Sequence, residues 1–271
     1  NLLEDEKLPY LRYKFVGLTI NGSNKGIYAL EEHFGKEGLE NSKFRESPII
    51  RFTEDNLFKI SSYIKRTVNI NLKATSHTES SISSFRLGSI LKDEKRRELY
   101  NQAIGLLENY FNGEIEIEEV FDIESFAKFY AITDLINNAH AKAWHNTRLY
   151  FNPINRKFLP YGYDASYQNL SPSISIENDD LLLFNSNKFA EKYVKNIERI
   201  ISEKYINNFL RKHSKTIAKE VSILNRSFPF VNFDKENIFS NKEYSLERVL
   251  KPANPFRAKI YAPKNADDAS K

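Results

Sequence analysis

The sequence predicts an α+β protein with a small β-rich N-terminal part and a larger, mainly helical part that contains one embedded hairpin. Alternating apolar and polar residues mark the first third. Spacing of three and four residues between apolar positions dominates the later part. A second alternating segment with a tight-turn sequence interrupts it near residue 150. Hydrophobic residues make up 41% and aromatics 13% of the 271 residues, enough for a real core and too much for global disorder.

The first hairpin is expected over residues 13–34. Val16, Leu18 and Ile20 share one strand face; Phe15, Gly17 and Thr19 share the other. Asn21–Gly26 is a cluster of residues that tolerate positive φ, and the return strand is Ile27–Glu32. A short strand follows at Pro48–Phe52, and Thr78–Ser84 reads as a loop. A helix is expected from Asp93 to Phe111, with Leu99, Ala103, Leu106 and Tyr110 on one stripe and Asn112-Gly113 ending it. The clearest helix starts at Asp122, an N-cap with Ser125 three residues on. Its stripe of Phe126, Phe129, Tyr130, Thr133, Ile136 and Asn137, with Ile132 and Leu135 beside it, reads as plain core.

A polar stretch from Asn137 to Asn146 leads into the second hairpin. Its strands are Arg148–Phe151 and Lys157–Tyr163, joined at Asn152–Asn155 and ending at Asp164. A Ser/Pro/Asn loop follows around 166–178, then helices with stripes at Tyr193, Ile197 and Ile200 and at Tyr205, Phe209 and Leu210. Periodicity weakens from Phe228, and Lys264–Lys271 reads as a frayed tail.

Several function classes drop out. The longest apolar runs, such as Leu181–Phe184, fall far short of the ~20 residues of a membrane span. A net charge of +4 is too small to make nucleic acid the default partner. Without cysteine there is no disulfide scaffold, thiol nucleophile or Cys-based zinc site. Methionine is absent even at position 1, and no signal-peptide pattern opens the chain, so it reads as a fragment or processed product with its N-terminus missing.

The densest chemistry is His140–Asn146 together with Asp164. A hairpin brings its ends together, so Asn146, just before the first strand, and Asp164, just after the second, should be neighbours. Their oxygens are hard ligands suited to Mg²⁺. An Asn before a strand is also a common turn residue, and an Asp after one a common helix cap. His140 and His145 are five apart, which does not match the same-face spacing of a zinc helix. Lys95-Arg96-Arg97 lies among acids and reads as a solvated helix face. Arg211, Lys212, His213 and Lys215 form a basic helical patch that suits a partner or an anionic surface. Asn21-Gly22-Ser23 matches a glycosylation acceptor, a tripeptide common by chance.

Two blocks carry a resemblance. Leu18–Glu32 resembles the hairpin "INGxxxGxYxLxE" of the CotH family, the spore-coat-protein-H-like atypical kinases. Trp144–Tyr150 followed by Leu159–Asp164 resembles that family's "N-x-x-L-Y … I-P-W/F-D-x-D" core. The resemblance covers roughly residues 10–170. It implies a remote protein-kinase-like fold, with a small β-rich lobe over 1–88, incomplete at its N-terminus, and a helical lobe over 89–271 that holds the catalytic hairpin. It implies phosphoryl transfer from ATP, with Mg²⁺ or Mn²⁺, to a protein hydroxyl, in an extracytoplasmic, cell-surface or coat-associated bacterial setting. Asp164 and Asn146 would hold metal; Glu32, as a buried acid, and Arg51, facing phosphate, would serve the nucleotide. Two departures stand out. Ala141 occupies the position of the family's catalytic aspartate, so His140 or His145 would act as base. Gly162 stands where the D-x-D pair has its first acid. No G-x-G-x-x-G loop is present. The competing reading is a kinase-like binding module without the chemistry; reversed nucleotide binding with AMP transfer is a smaller one.

Overall fold

The computed structural model describes residues 2–53, 80–164, 172–177 and 179–251. Most of the 166–178 loop and the 264–271 tail lie outside them. The protein is α+β with small antiparallel sheets. A short helix, α1 (Leu2–Asp5), precedes the ribbon of β1 (Tyr13–Ile20) and β2 (Ser23–Glu31). The turn is tighter than the Asn21–Gly26 cluster implies. Only Asn21 (φ 49) and Gly22 (φ 77) form it, both left-handed as a two-residue hairpin turn requires. Ser23–Gly26 instead joins the strand, and a register shift between Leu18 and Thr19 absorbs the extra residue.

After α2 (Lys36–Asn41) comes β3 (Ile49–Thr53). The loop expected at Thr78–Ser84 is corrected over Ser81–Ser84, which is strand β4, paired with β3; Thr78 and Glu79 lie outside the described residues. Serine-rich sequence carries little strand propensity. The open edge of β3 supplies the partner, and the Ser84 hydroxyl adds a bond to the Ile49 carbonyl (3.1 Å). Next come α3 (Leu87–Ile90), α4 (Glu94–Phe111), α5 (Ile117–Val120) and α6 (Ile123–Leu135). Asp93 caps α4 through the Arg96 amide, and Asp122 caps α6 through the Ser125 amide (3.0 Å). A 3₁₀ turn (Ala139–Lys142) leads to β5 (Arg148–Asn152) and β6 (Lys157–Pro160). The helices α7 (Asn187–Ile200) and α8 (Glu203–Leu224) follow, then α9 (Lys235–Ile238), α10 (Lys242–Ser245) and a π turn (Leu246–Leu250).

The second sheet runs β4-β3-β5-β6 and is antiparallel throughout. It draws strands from both sequence segments expected to form separate lobes. Both of its faces are covered, and alternate residues go to different cores. Ile50, Phe52, Leu149, Phe151 and Phe158 join the main core with α4, α6 and α7. Ile49, Tyr150, Leu159 and Tyr161 join a smaller core with Leu11, Phe34 and Leu39. Helix α6 is buried nearly all round, because the sheet takes one side and α7 another.

The N-terminal segment is strapped down by charge. Glu6 is bound by Arg199 (2.8 and 2.7 Å) and by the Tyr205 hydroxyl (2.9 Å). Asp5 meets Lys212 and His213 (2.5 and 2.8 Å). Burial pushes both carboxyls up, but the bonds from Arg199 and Tyr205, and from Lys212 and His213, outweigh it and hold both below their ordinary values. Carboxyls depressed in the folded state contribute stability above their unfolded pKa and lose it as pH falls through the folded one. Acidification below about pH 4 should therefore release the segment around Glu6. Hydrogen exchange resolved by mass spectrometry checks this: residues 2–12 should lose protection before α6 and α7 do.

Candidate functional site

The site forms where the second hairpin opens. Asp164 leaves β6 with a left-handed backbone (φ 51), a strained setting for a non-glycine residue. Asn138 holds this turn by donating to the Asp164 carbonyl (3.2 Å). The Asp164 carboxylate accepts from Asn146 Nδ2 through Oδ2 (3.1 Å), and the same oxygen lies 3.0 Å from His140 Nε2. Asn146 also donates to the His140 carbonyl (3.2 Å). The His140 and His145 rings meet edge to face at 5.4 Å, and Trp144 packs on His145. The structure thus brings His140, His145, Asn146 and Asp164 into one cluster, with His140 and Asp164 each about a third exposed.

Arg51 lies one strand away. It stands directly opposite Arg148 across β3 and β5. Both guanidiniums stack on Phe85, at 5.0 and 5.5 Å from the ring centre, and Arg148 also lies 5.1 Å from Tyr163. Arg148 donates to the carbonyls of His145 (2.8 Å) and Thr147 (3.1 Å), tying the cluster to the strand. Arg51 forms no ion pair among the described residues, and its buried Nε has no hydrogen-bond partner there. Glu32 is placed differently. The Arg12 guanidinium grips it with two bonds (2.8 and 3.1 Å), the Arg12 amide adds one (3.4 Å) and Asn41 another (2.7 Å), which fixes the base of the first ribbon. No bond connects Glu32 to the Asp164 cluster among the described residues.

Residues missed in the sequence support the site from below. Lys142 turns inward from the 3₁₀ turn and reaches Asp134 of α6 (2.5 Å) and the Ser175 hydroxyl (2.7 Å). Asp134 is then saturated by the Ser175 amide and hydroxyl (2.9 and 2.8 Å) and by the Tyr193 hydroxyl (2.6 Å). Asp180 accepts from the Trp144 amide (2.9 Å). Beside it, Asp179 takes bonds from the Phe184 amide and the Tyr130 hydroxyl, yet burial raises its pKa to about 6. The signal available was a charged Asp134 between Thr133 and Leu135, inside a stripe read as plain core.

The structure gives both departures a setting. Ala141 is only 5% exposed and belongs to the main core, so an acid there would lose its water. Gly162 is sealed by the N-terminal segment. Its amide donates to the Pro9 carbonyl (3.0 Å), it bridges to Tyr10, and a Cβ at 162 would overlap Leu3 Cδ1. No carboxylate fits there while Leu3 keeps its seat.

Among the described residues no group of three or more His, Asp or Glu side chains is arranged to hold a metal ion. Asp164 Oδ1 and Asn146 Oδ1 nevertheless make no hydrogen bond among them, so each residue keeps a hard oxygen uncommitted there; Mg²⁺ asks for few protein ligands. A family model described as CotH kinase protein matches residues 1–222 of the chain. No curated protein matches it.

Two expectations are open to measurement. Gly162→Asp should lower stability by about 1–3 kcal/mol in urea titration, through displacement of Leu3. Asp179 keeps its proton more tightly in the folded protein, so its ionisation opposes folding, and stability falls as pH rises through about 6. Asp179→Asn should therefore raise the melting temperature more at pH 8 than at pH 5, by the equivalent of roughly 1–2 kcal/mol.

Proposed function

This chain belongs to the CotH kinase protein family, and we propose that it is a phosphotransferase that moves the γ-phosphoryl group of ATP to a protein hydroxyl with a divalent metal. The observation that carries this reading is the Asp164–Asn146–His140 cluster beside two stacked arginines. Asp164 Oδ1 and Asn146 Oδ1 are the oxygens that would hold Mg²⁺ or Mn²⁺. The bound ion supplies neutralising charge on the phosphates.

The chain's own residues do the rest. With its hydrogen on Nε2, directed at Asp164, His140 presents Nδ1 as the basic nitrogen. His140 accepts the acceptor hydroxyl's proton as that oxygen bonds to the γ-phosphorus and the β–γ bridging bond breaks, releasing ADP. His145, packed on His140, shapes the approach. Arg51, which forms no ion pair among the described residues, is the phosphate-facing group of this reading. Glu32 serves the nucleotide indirectly, by fixing Arg12 and the ribbon base. On this reading the part over 1–88 is the small lobe of a remote kinase-like fold and the part over 89–271 the helical one, with β3 and β5 as their shared seam. We place the activity outside the cytoplasm, on a cell surface or coat, on the family resemblance alone.

A second reading draws on Ala141 in the core and Gly162 under Leu3: a kinase-like binding module without transfer. Calorimetric titration of ATP with Mg²⁺ or Mn²⁺, then with chelator, separates the two. The enzyme reading expects metal-dependent binding lost in Asp164→Ala, and binding kept but transfer reduced by about 10²–10⁴ in His140→Ala. Absence of binding in the folded wild type rejects it in favour of the module.

A further inference from the structure

We propose that the outer face of α8 and the aromatic turn after it dock on an anionic lipid bilayer. Helix α8 turns Ile206, Phe209 and His213 toward the protein, and Glu220, on the same side, accepts from the Phe15 amide of the ribbon (3.0 Å). At 100° per residue, Lys204, Arg211, Lys215 and Lys219 fall together on the side away from these. Arg226 follows just beyond the helix end. All five are exposed, and none forms an ion pair among the described residues. The acids of the helix are turned away or engaged: Glu220 faces the ribbon, and Glu203 pairs with Lys242.

The stripe ends in an apolar projection. Phe230 is 93% exposed, and Phe228 is 52% exposed. Val231 and Phe233 are exposed beside them. This turn is built to hold them out. The Phe228 amide donates to the Leu224 carbonyl (2.8 Å) and the Val231 amide to the Phe228 carbonyl (3.1 Å). The Asn225 side-chain amide, oriented to donate, bonds the Val231 and Phe228 carbonyls (2.9 and 3.1 Å). The hairpin adjoins it, since a Cβ on Gly26 would lie 3.3 Å from Ser227 Oγ, and it exposes Ile20 and Tyr28.

Aromatic and aliphatic side chains held out beyond a helix end, next to an exposed cationic stripe, suit the interface of a negatively charged membrane. Stacking on nucleic acid would draw on rings alone, whereas this projection sets the aliphatic Ile20 and Val231 among its rings. No helix among the described residues is long and apolar enough to cross a membrane, so the attachment is peripheral.

Flotation with phosphatidylcholine vesicles, alone or mixed with phosphatidylglycerol, tests this. The expected result is roughly tenfold or greater preference for the anionic vesicles, weakened by salt. Phe230→Ser and the pair Lys215→Glu, Lys219→Glu should each abolish the preference while leaving circular dichroism unchanged. Trp144 is buried, so its emission is a constant background, and Phe230→Trp should blue-shift only on anionic vesicles. Equal binding to both vesicle types, binding unaffected by either variant, or no shift in Phe230→Trp overturns the proposal. A concentration-dependent dimer lost in Phe230→Ser, without vesicle binding, also overturns it and assigns the patch to a second copy of the chain.

Discussion

The buried pair of Asp134 and Lys142 is the constraint on which the site depends. Both side chains are almost wholly shielded from water, and removing two charges from water costs several kcal/mol each unless they are paired and fully hydrogen-bonded. Asp134 meets that demand by drawing in four different stretches of chain: α6, which carries it, the 3₁₀ turn through Lys142, the 172–177 segment through Ser175, and α7 through Tyr193. The Asn241 amide closes on the Asp134 carbonyl (2.7 Å) from a fifth. Satisfying one carboxylate therefore sets the path of the chain between His140 and His145. Removal of either partner would leave an uncompensated charge, so the polar turn is as fixed as the apolar core around it.

A second ionic centre does comparable work at the opposite end of the chain. Glu6, held by Arg199 and Tyr205, anchors a segment whose Leu3, Pro9 and Tyr10 lie on Gly162. The glycine and the strap explain each other: the backbone approaches closely because no side chain stands at 162. Two residues further on, Asp164 is the acid left at the hairpin mouth. What reads in the sequence as a lost carboxylate is, in the folded chain, a packing contact.

The four-stranded sheet connects these parts. One face feeds the main core through Ile50, Leu149 and Phe158; the other sends Tyr150 and Tyr161 into the smaller core and presents Arg51 and Arg148 at the edge of the site. The aromatic shelf of Phe85 and Tyr163 carries the two guanidiniums.

Local signals were enough for much of this. Asp93 and Asp122 announced their helices because an N-cap is a contact between a side chain and an amide three residues on. Both hairpins were legible from alternation and turn residues, and the meeting of Asn146 with Asp164 followed from hairpin closure. The strand at Ser81–Ser84 was not legible, since its pairing is dictated by the free edge of β3 rather than by its own residues. Nor were the roles of Asp134, Lys142 and Gly162. Each depends on groups tens of residues away, and a buried charge or a close backbone approach has no short-range signature. The sequence by itself determined the elements and the chemical inventory of the site. The tertiary structure alone decided which charges are buried, which are paired and which remain open, because desolvation and long-range pairing exist only once the chain has closed on itself.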